Sequence, residues 1–443
     1  MSSVLVRAML VWLALSVQAA VAGVAIESWE SSRGARVLFV ESRALPMLDV
    51  SIEFPAGSAR DSAAASGIAN LALRAMRMGS AASGGVPALS EDEISLGLAD
   101  VGAQLTPSFD VDRAGYALRT LSGERERVRA IDLLAAIVQR PAFLPEVVAR
   151  EKARVIAALR EAQIKPDTAA SRAYARLVYG DHPYGLRASG EIDALECIEP
   201  AQLLDFHHRH YGVAAAVVSI IGDISREQAR EIAERLTSGL PAGVELPPIS
   251  SVPSLQQAVQ RAIRHDAAQA HVLLGAPGMR RADPDYFALW VGNYILGGGG
   301  FNSRLTVQVR EKRGLTYSVY SAFAPYQREG AFTIGLQTRR DQADEALRVV
   351  RETLSDFVRD GPTESELAGA KQHIIGGFAL RIDSNRKILD YLATIGFYRL
   401  PLDYLDQFPQ RVAALTLEEV RDAFRRRVDP SRMATVVVGG IAP

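Results

Sequence analysis

The sequence has one cysteine, Cys197, only three tryptophans, and a basic complement in which lysine is scarce beside arginine. One cysteine excludes an intramolecular disulfide framework and any metal cluster built on several cysteines. An excess of either charge is missing too. Fifty basic residues face 51 acidic ones, a formal net charge of −1. Nucleic-acid recognition normally needs a basic domain or stripe, so nucleic acid is not an expected partner. Past residue 22, no charge-free stretch reaches the ~20 residues of a membrane-spanning helix, so no stable membrane insertion is expected. What is present is ordinary globular composition: 443 residues, 48% hydrophobic and 23% charged. That is enough to bury a sizeable core. At ~150 residues per domain, the length allows two large domains or three smaller ones.

Residues 1–22 read MSSVLVRAMLVWLALSVQAAVA. Arg7 supplies a positive n-region, Met9 to Val17 an apolar h-region, and Ala20-Val21-Ala22 an A-x-A cleavage site. This is a secretory signal-peptide pattern. An uncleaved anchor is the alternative, but the apolar stretch is short for a span. The mature chain is expected to begin at Gly23 and to be exported, to the periplasm in a Gram-negative bacterium.

Pro241 to Gln257 is rich in Pro and Ser and lacks helical period, as a linker does. It divides the mature chain into 23–240 and 258–443. Both parts end alike. Pro200 to Tyr211 reads as a helix followed by the strand Ala215 to Gly222, and Thr416 to Val428 reads as a helix followed by the strand Ala434 to Gly439. Two copies of ~200 residues are a duplication, not a solenoid with periods of about 20–50. Leu48, Val50, Ile52 and Phe54 alternate with Asp49, Ser51 and Glu53, which predicts a half-buried strand. Ala114 to Leu121, Tyr317 to Phe323 and Ala331 to Thr338 also read as strands. Asp283-Pro284 predicts a helix start with proline at the first position. Thr363…Glu366 and Thr416…Glu419 are capping boxes. Strands and helices come in runs, so the expected class is α+β, with two mainly antiparallel sheets packed against helices.

Three segments then place the chain. They are Gly57-Ser58-Ala59-Arg60-Asp61 running on to Gly67 through Met76; Asp181-His182-Pro183-Tyr184-Gly185; and Gly297 through Leu305 with Val309 through Val319. In this order, with the duplication, they resemble the M16 (pitrilysin/insulinase-like) zinc peptidase family in its short two-domain form. The resemblance implies two related α+β domains that clamp a partner pair of domains around a closed chamber.

Active members carry H-x-x-E-H on a helix after a glycine turn. Histidines at i and i+4 share one helix face and hold one metal, and the glutamate takes the proton from zinc-bound water. Aligned on Gly67 and Met76, this chain has Asn70 and Arg74 at the histidines and Leu73 at the base. The resemblance implies a third ligand on a later helix, seven residues after another acid. With Glu151 as that acid, the ligand position is Ala158. Arginine stays protonated and cannot ligate zinc. No metal site and no cofactor is therefore expected in this chain, and Arg74 and Glu151 are expected to form an ion pair.

Phe206-His207-His208-Arg209-His210-Tyr211 is the one histidine cluster. His207 and His210 are i,i+3, but the spacing of the cluster does not complete a metal site, so a helix surface is the expectation. His182 reads as part of a structural turn, and His265, His271 and His373 have no ligand spacing. The resemblance further implies that Arg310 and Tyr317, seven residues apart, reach into the active site from the second domain. A guanidinium can hold a carboxylate or carbonyl, and a phenol can donate to an oxyanion. Gly298, Gly299 and Gly300 form a loop beside them, where glycine permits close approach of an extended peptide.

The expectation is a non-catalytic, substrate-binding subunit of a heteromeric zinc metalloendopeptidase, paired with an H-x-x-E-H-bearing M16 subunit that holds the zinc. It would be inactive alone. The alternative is a non-enzymatic, peptide-binding scaffold of the same fold. An active peptidase with an unorthodox site would rest on the histidine cluster alone.

Overall fold

A computed structural model describes residues 24–439; the signal-peptide pattern lies outside the described residues. The strands are β1 (Glu27–Glu30), β2 (Arg36–Glu41), β3 (Met47–Phe54), β4 (Gly79–Ser80), β5 (Leu89–Ser90), β6 (Gln104–Phe109), β7 (Ala114–Leu121), β8 (Val217–Gly222), β9 (Val259–Ile263), β10 (Gln269–Met279), β11 (Val319–Phe323), β12 (Gly330–Arg339) and β13 (Ala434–Val438). In the first half the helices are α1 (Ile68–Met76), α2 (Glu91–Asp100), α3 (Glu124–Gln139), α4 (Pro145–Gln163), α5 (Pro166–Tyr179), α6 (Ile192–Glu196), α7 (Pro200–His210) and α8 (Arg226–Thr237). In the second they are α9 (Tyr286–Asn293), α10 (Ala343–Asp360), α11 (Glu364–Gly376), α12 (Asn385–Phe397), α13 (Tyr404–Ala414) and α14 (Leu417–Arg427).

The duplication is written in the sheets. The first runs β6-β7-β3-β8-β2-β1 and the second β11-β12-β10-β13-β9. β3 pairs antiparallel with β7 and β8, and β8 pairs parallel with β2. β10 pairs antiparallel with β12 and β13, and β13 pairs parallel with β9. The same ladder therefore occurs twice, apart from the extra edge strand β1. Both halves are α+β, as expected.

The halves exchange helices. α12, from the second half, packs across β2, β3 and β8 of the first sheet, and α5, from the first half, packs across β10 and β13 of the second. Glycine makes each approach possible. A Cβ on Gly396 would stand 2.4 Å from Val217 Cγ1. A Cβ on Gly275 would stand 2.2 Å from the Tyr174 hydroxyl, which instead donates to the Phe332 carbonyl at 3.0 Å. The exchange corrects one expectation. β3 is not half-buried: Asp49, Ser51 and Glu53 are as inaccessible as its apolar residues, because α12 covers the second face. Its acids are neutralised there, Asp49 by Arg119 at 2.8 Å and Glu53 by Arg113 at 2.8 Å.

Asp112 fastens the halves together. Its carboxylate accepts from the Tyr184 hydroxyl (3.0 Å), the Tyr398 hydroxyl (2.8 Å) and the Gln327 amide (2.7 Å). His182 accepts from the Tyr184 amide through Nδ1 and is 3.1 Å from the Ser250 carbonyl through Nε2. That turn is structural, as read. Residues 241–257 hold no helix or strand, yet the segment is tied down. The carbonyls of Pro247 and Ile249 accept from Arg60 and Arg328. Asp283-Pro284 forms a turn and does not start a helix. α9 begins at Tyr286, while Asp283 accepts from the Asp285 amide and pairs with Arg427.

Candidate functional site

Two groups of side chains occupy the positions singled out in the sequence, one in each half. The first is built on α1. Gly67 precedes it with φ +98°, and a Cβ there would meet the Gly190 Cα at 2.7 Å, so only glycine fits this turn. Asp61 anchors the helix start, accepting from the Gly67 and Ala69 amides at 2.7 and 3.1 Å. Burial pushes its carboxyl up to about 7, against the pull of those two N–H groups. Leu73 is buried, and its carbonyl accepts from the buried Tyr116 hydroxyl.

Asn70 and Arg74 share the i,i+4 face of α1. Glu151, on α4, confronts that face with only 1% of its surface exposed. Its Oε2 lies 3.2 Å from Arg74 Nη2, and its Oε1 lies 2.6 Å from Arg154 Nη1 and 3.8 Å from Arg150 Nε. The expected Arg74–Glu151 ion pair is present. Ala158 is placed elsewhere: it is exposed, two helical turns and about 10 Å further along α4. The acid that meets α1 is Glu151 itself. α1 presents no histidine pair and no acid on this face, and the carboxylate opposite it is clamped by guanidinium groups.

This cradle does not fit zinc. Arg74 carries a permanent charge where a neutral donor is needed, and both Glu151 oxygens already accept from arginines. Among the described residues no group of three or more His, Cys, Asp or Glu is placed to hold a metal. The histidine cluster is split by burial: His208 is exposed and His210 half-buried, while His207 is packed as core. His207 is 1% exposed, lies 2.8 Å from the Val138 carbonyl through Nε2 and stacks on Tyr211. His210 stacks on Phe206. Burial pushes both down to about 4, so both rings are neutral at pH 7.

The second group surrounds the glycine run. Arg310 lies near the end of the turn Thr306–Glu311, and Gly314 closes it with φ +62°, its amide donating to the Arg310 carbonyl at 2.8 Å. Tyr317 precedes β11 and is 83% exposed. The Arg310 guanidinium lies 4.9 Å from the Tyr317 ring centroid and 4.9 Å from that of Phe301. Arg310 and Tyr317 are thus brought together, and Phe301 completes a sandwich that the family spacing did not single out. Its signal was available in the sequence as a large apolar residue directly after four glycines. Arg150 and Arg154 were also missed, although i−1 and i+3 spacing around Glu151 announced them. No ion pair or hydrogen bond links the two groups among the described residues.

Known proteins resemble the whole chain. Residues 36–190 match the family model described as insulinase (peptidase family M16), and residues 198–374 match the one described as peptidase M16 inactive domain. A crystal structure from Pseudomonas fluorescens, described as a peptidase M16 inactive domain, superposes with a TM-score of 0.89 at 35% identity. It covers 94% of this chain and 98% of that one. A Helicobacter pylori protein named non-peptidase homolog YmxG is 24% identical over 408 residues, 91% of each chain. A Mycobacterium leprae protein described as an uncharacterized zinc protease is 27% identical over 358 residues, 79% of this chain and 78% of its own. With the ladder repeated in two sheets and the α1 turn in place, these similarities lead to one conclusion: the chain belongs to the peptidase M16 family, as a member whose own α1 lacks the zinc-binding pair.

Proposed function

We propose that this chain is the non-catalytic, substrate-binding subunit of an exported, heteromeric zinc metalloendopeptidase. A partner chain with an intact H-x-x-E-H helix supplies the zinc and the general base. This chain supplies half of the chamber wall and the Arg310–Tyr317 pair. The contrast between its two halves carries the reading. Arg74 is locked onto Glu151, whereas Arg310 stacks between two exposed rings and has no carboxylate within ion-pair distance among the described residues. A guanidinium in that state is free to hold a peptide carbonyl or carboxylate, and the neighbouring phenol to donate to an oxyanion. Export rests on the pattern at residues 1–22.

The test is to purify the chain alone and together with an H-x-x-E-H-bearing M16 chain from the same organism. Alone it is expected to cleave no peptide and to hold far less than one zinc per chain. The pair is expected to hydrolyse peptide in a chelator-sensitive way. One zinc per chain, with chelator-abolished activity of the chain alone, would overturn the proposal. An assembly that binds peptide without hydrolysis would favour the scaffold instead.

A further inference from the structure

The glycine run is framed by two π-helical turns, Tyr294–Gly298 and Thr306–Glu311. Such turns are rare and frequently mark functional sites. The first carries Tyr294 and the second Arg310. At Gly300, with φ +65°, an added Cβ would meet nothing within 4 Å, so the backbone there is open to an approaching chain.

Past Phe301 lies a cavity of about 530 Å³, bordered by Trp290, Asn293, Tyr294, Phe301, His373 and Arg381 together with the glycines. Arg381 sits 5.2 Å from the Trp290 ring centroid, and His373 stacks on Tyr294 at 5.2 Å. Cations and rings alternate from Tyr317 through Arg310 and Phe301 to this cavity. Among the described residues no carboxylate lines it. Neither Arg310 nor Arg381 forms an ion pair among the described residues. Stacking covers the flat faces of a guanidinium and leaves its N–H edge free, the edge that matches a carboxylate.

We propose that this cleft prefers peptides bearing carboxylates, an acidic segment whose side chains or free carboxyl terminus bridge Arg310 and Arg381 across the glycine turn. The preference rests on the reading of the second domain as the peptide-binding side and names the substrate class. A nucleic acid is a poorer fit. It would need a longer row of phosphate contacts than two arginines provide, and each arginine already covers a face of a ring that a base would need.

The experiment is calorimetric titration of the full chain with an extended decapeptide carrying spaced Asp and Glu, and with the same peptide carrying Asn and Gln. The acidic peptide is expected to bind at least about tenfold tighter at low salt, with the ratio shrinking as salt rises. Arg381 ends an exposed turn, so Arg381→Gln should preserve the fold, checked by circular dichroism. It should bring the acidic peptide down toward the affinity of the amide. Equal binding of both peptides, or an Arg381→Gln chain with undiminished preference, overturns the acidic preference while leaving peptide binding intact. Binding of neither overturns the preference and the peptide-binding reading together.

Discussion

Arg74 on α1 and Glu151 on α4 stand 3.2 Å apart, a guanidinium set against a carboxylate. The carboxylate is almost wholly buried and the guanidinium is 44% exposed. Removing one partner of a fully buried pair costs about 3–5 kcal/mol. Arg74 is half in water and Arg154 remains on the same carboxylate, so Arg74→Ala should cost only about 1 kcal/mol. Glu151→Ala should cost more, about 1.5–3 kcal/mol, because it removes the carboxylate that Arg74 and Arg154 share, while Arg150 keeps Glu91. Urea denaturation of both variants and the double variant measures the coupling. Costs that simply add would mean that the contact carries no energy.

The buried histidines set an acid limit on the fold. His207 is held at about 4, against 6.5 for an ordinary histidine. Between those values the unfolded chain takes a proton that the folded chain refuses. The contribution is therefore full above pH 6.5 and lost progressively as pH falls toward 4. His210 adds to it with the same sign. Asp61, raised from 3.8 to about 7, acts with the opposite sign over much of that window. The test is accordingly a difference: in His207→Gln, the fall in urea midpoint between pH 7 and pH 5 should be shallower than in the unaltered chain. Parallel curves would contradict the assignment.

Asp112 ties the halves together through the Tyr398 hydroxyl and the Gln327 amide, so Tyr398→Phe should loosen the junction. A hydrogen bond to a charged group is worth about 1.5–3 kcal/mol, and hydrogen exchange at α12 should quicken along with the loss of stability. Unchanged exchange there would show that the apolar contacts of α12 hold the halves without this carboxylate.

Much of this architecture was legible in the residues. The capping boxes at Thr363 and Thr416 form as read, each with its glutamate three residues on. The doubled helix-then-strand ending foreshadowed two equivalent ladders, and the resemblance to the family set Arg74 opposite Glu151. The exchange of α5 and α12 was not legible. Periodicity along β3 reports which residues are apolar, and it cannot show that a helix 340 residues away covers the polar face, as in the approximate spacing of Asp49 and Asp390. The position of Ala158 failed for a related reason: a seven-residue step keeps a helical face but shifts the side chain by two turns, and only the packing of α4 on α1 shows which turn is opposite. The Arg310 sandwich was half legible, because a ring stacked through space leaves no periodic trace.

The most direct measurement is the peptidase kcat/KM of the reconstituted pair with Arg310→Ala in this chain. The account predicts a fall of at least about tenfold, the equivalent of about 1.4 kcal/mol of lost transition-state binding, with the pair still assembled and its zinc retained. Unchanged kinetics in a fully assembled pair would contradict the claim that this chain contributes to the handling of substrate.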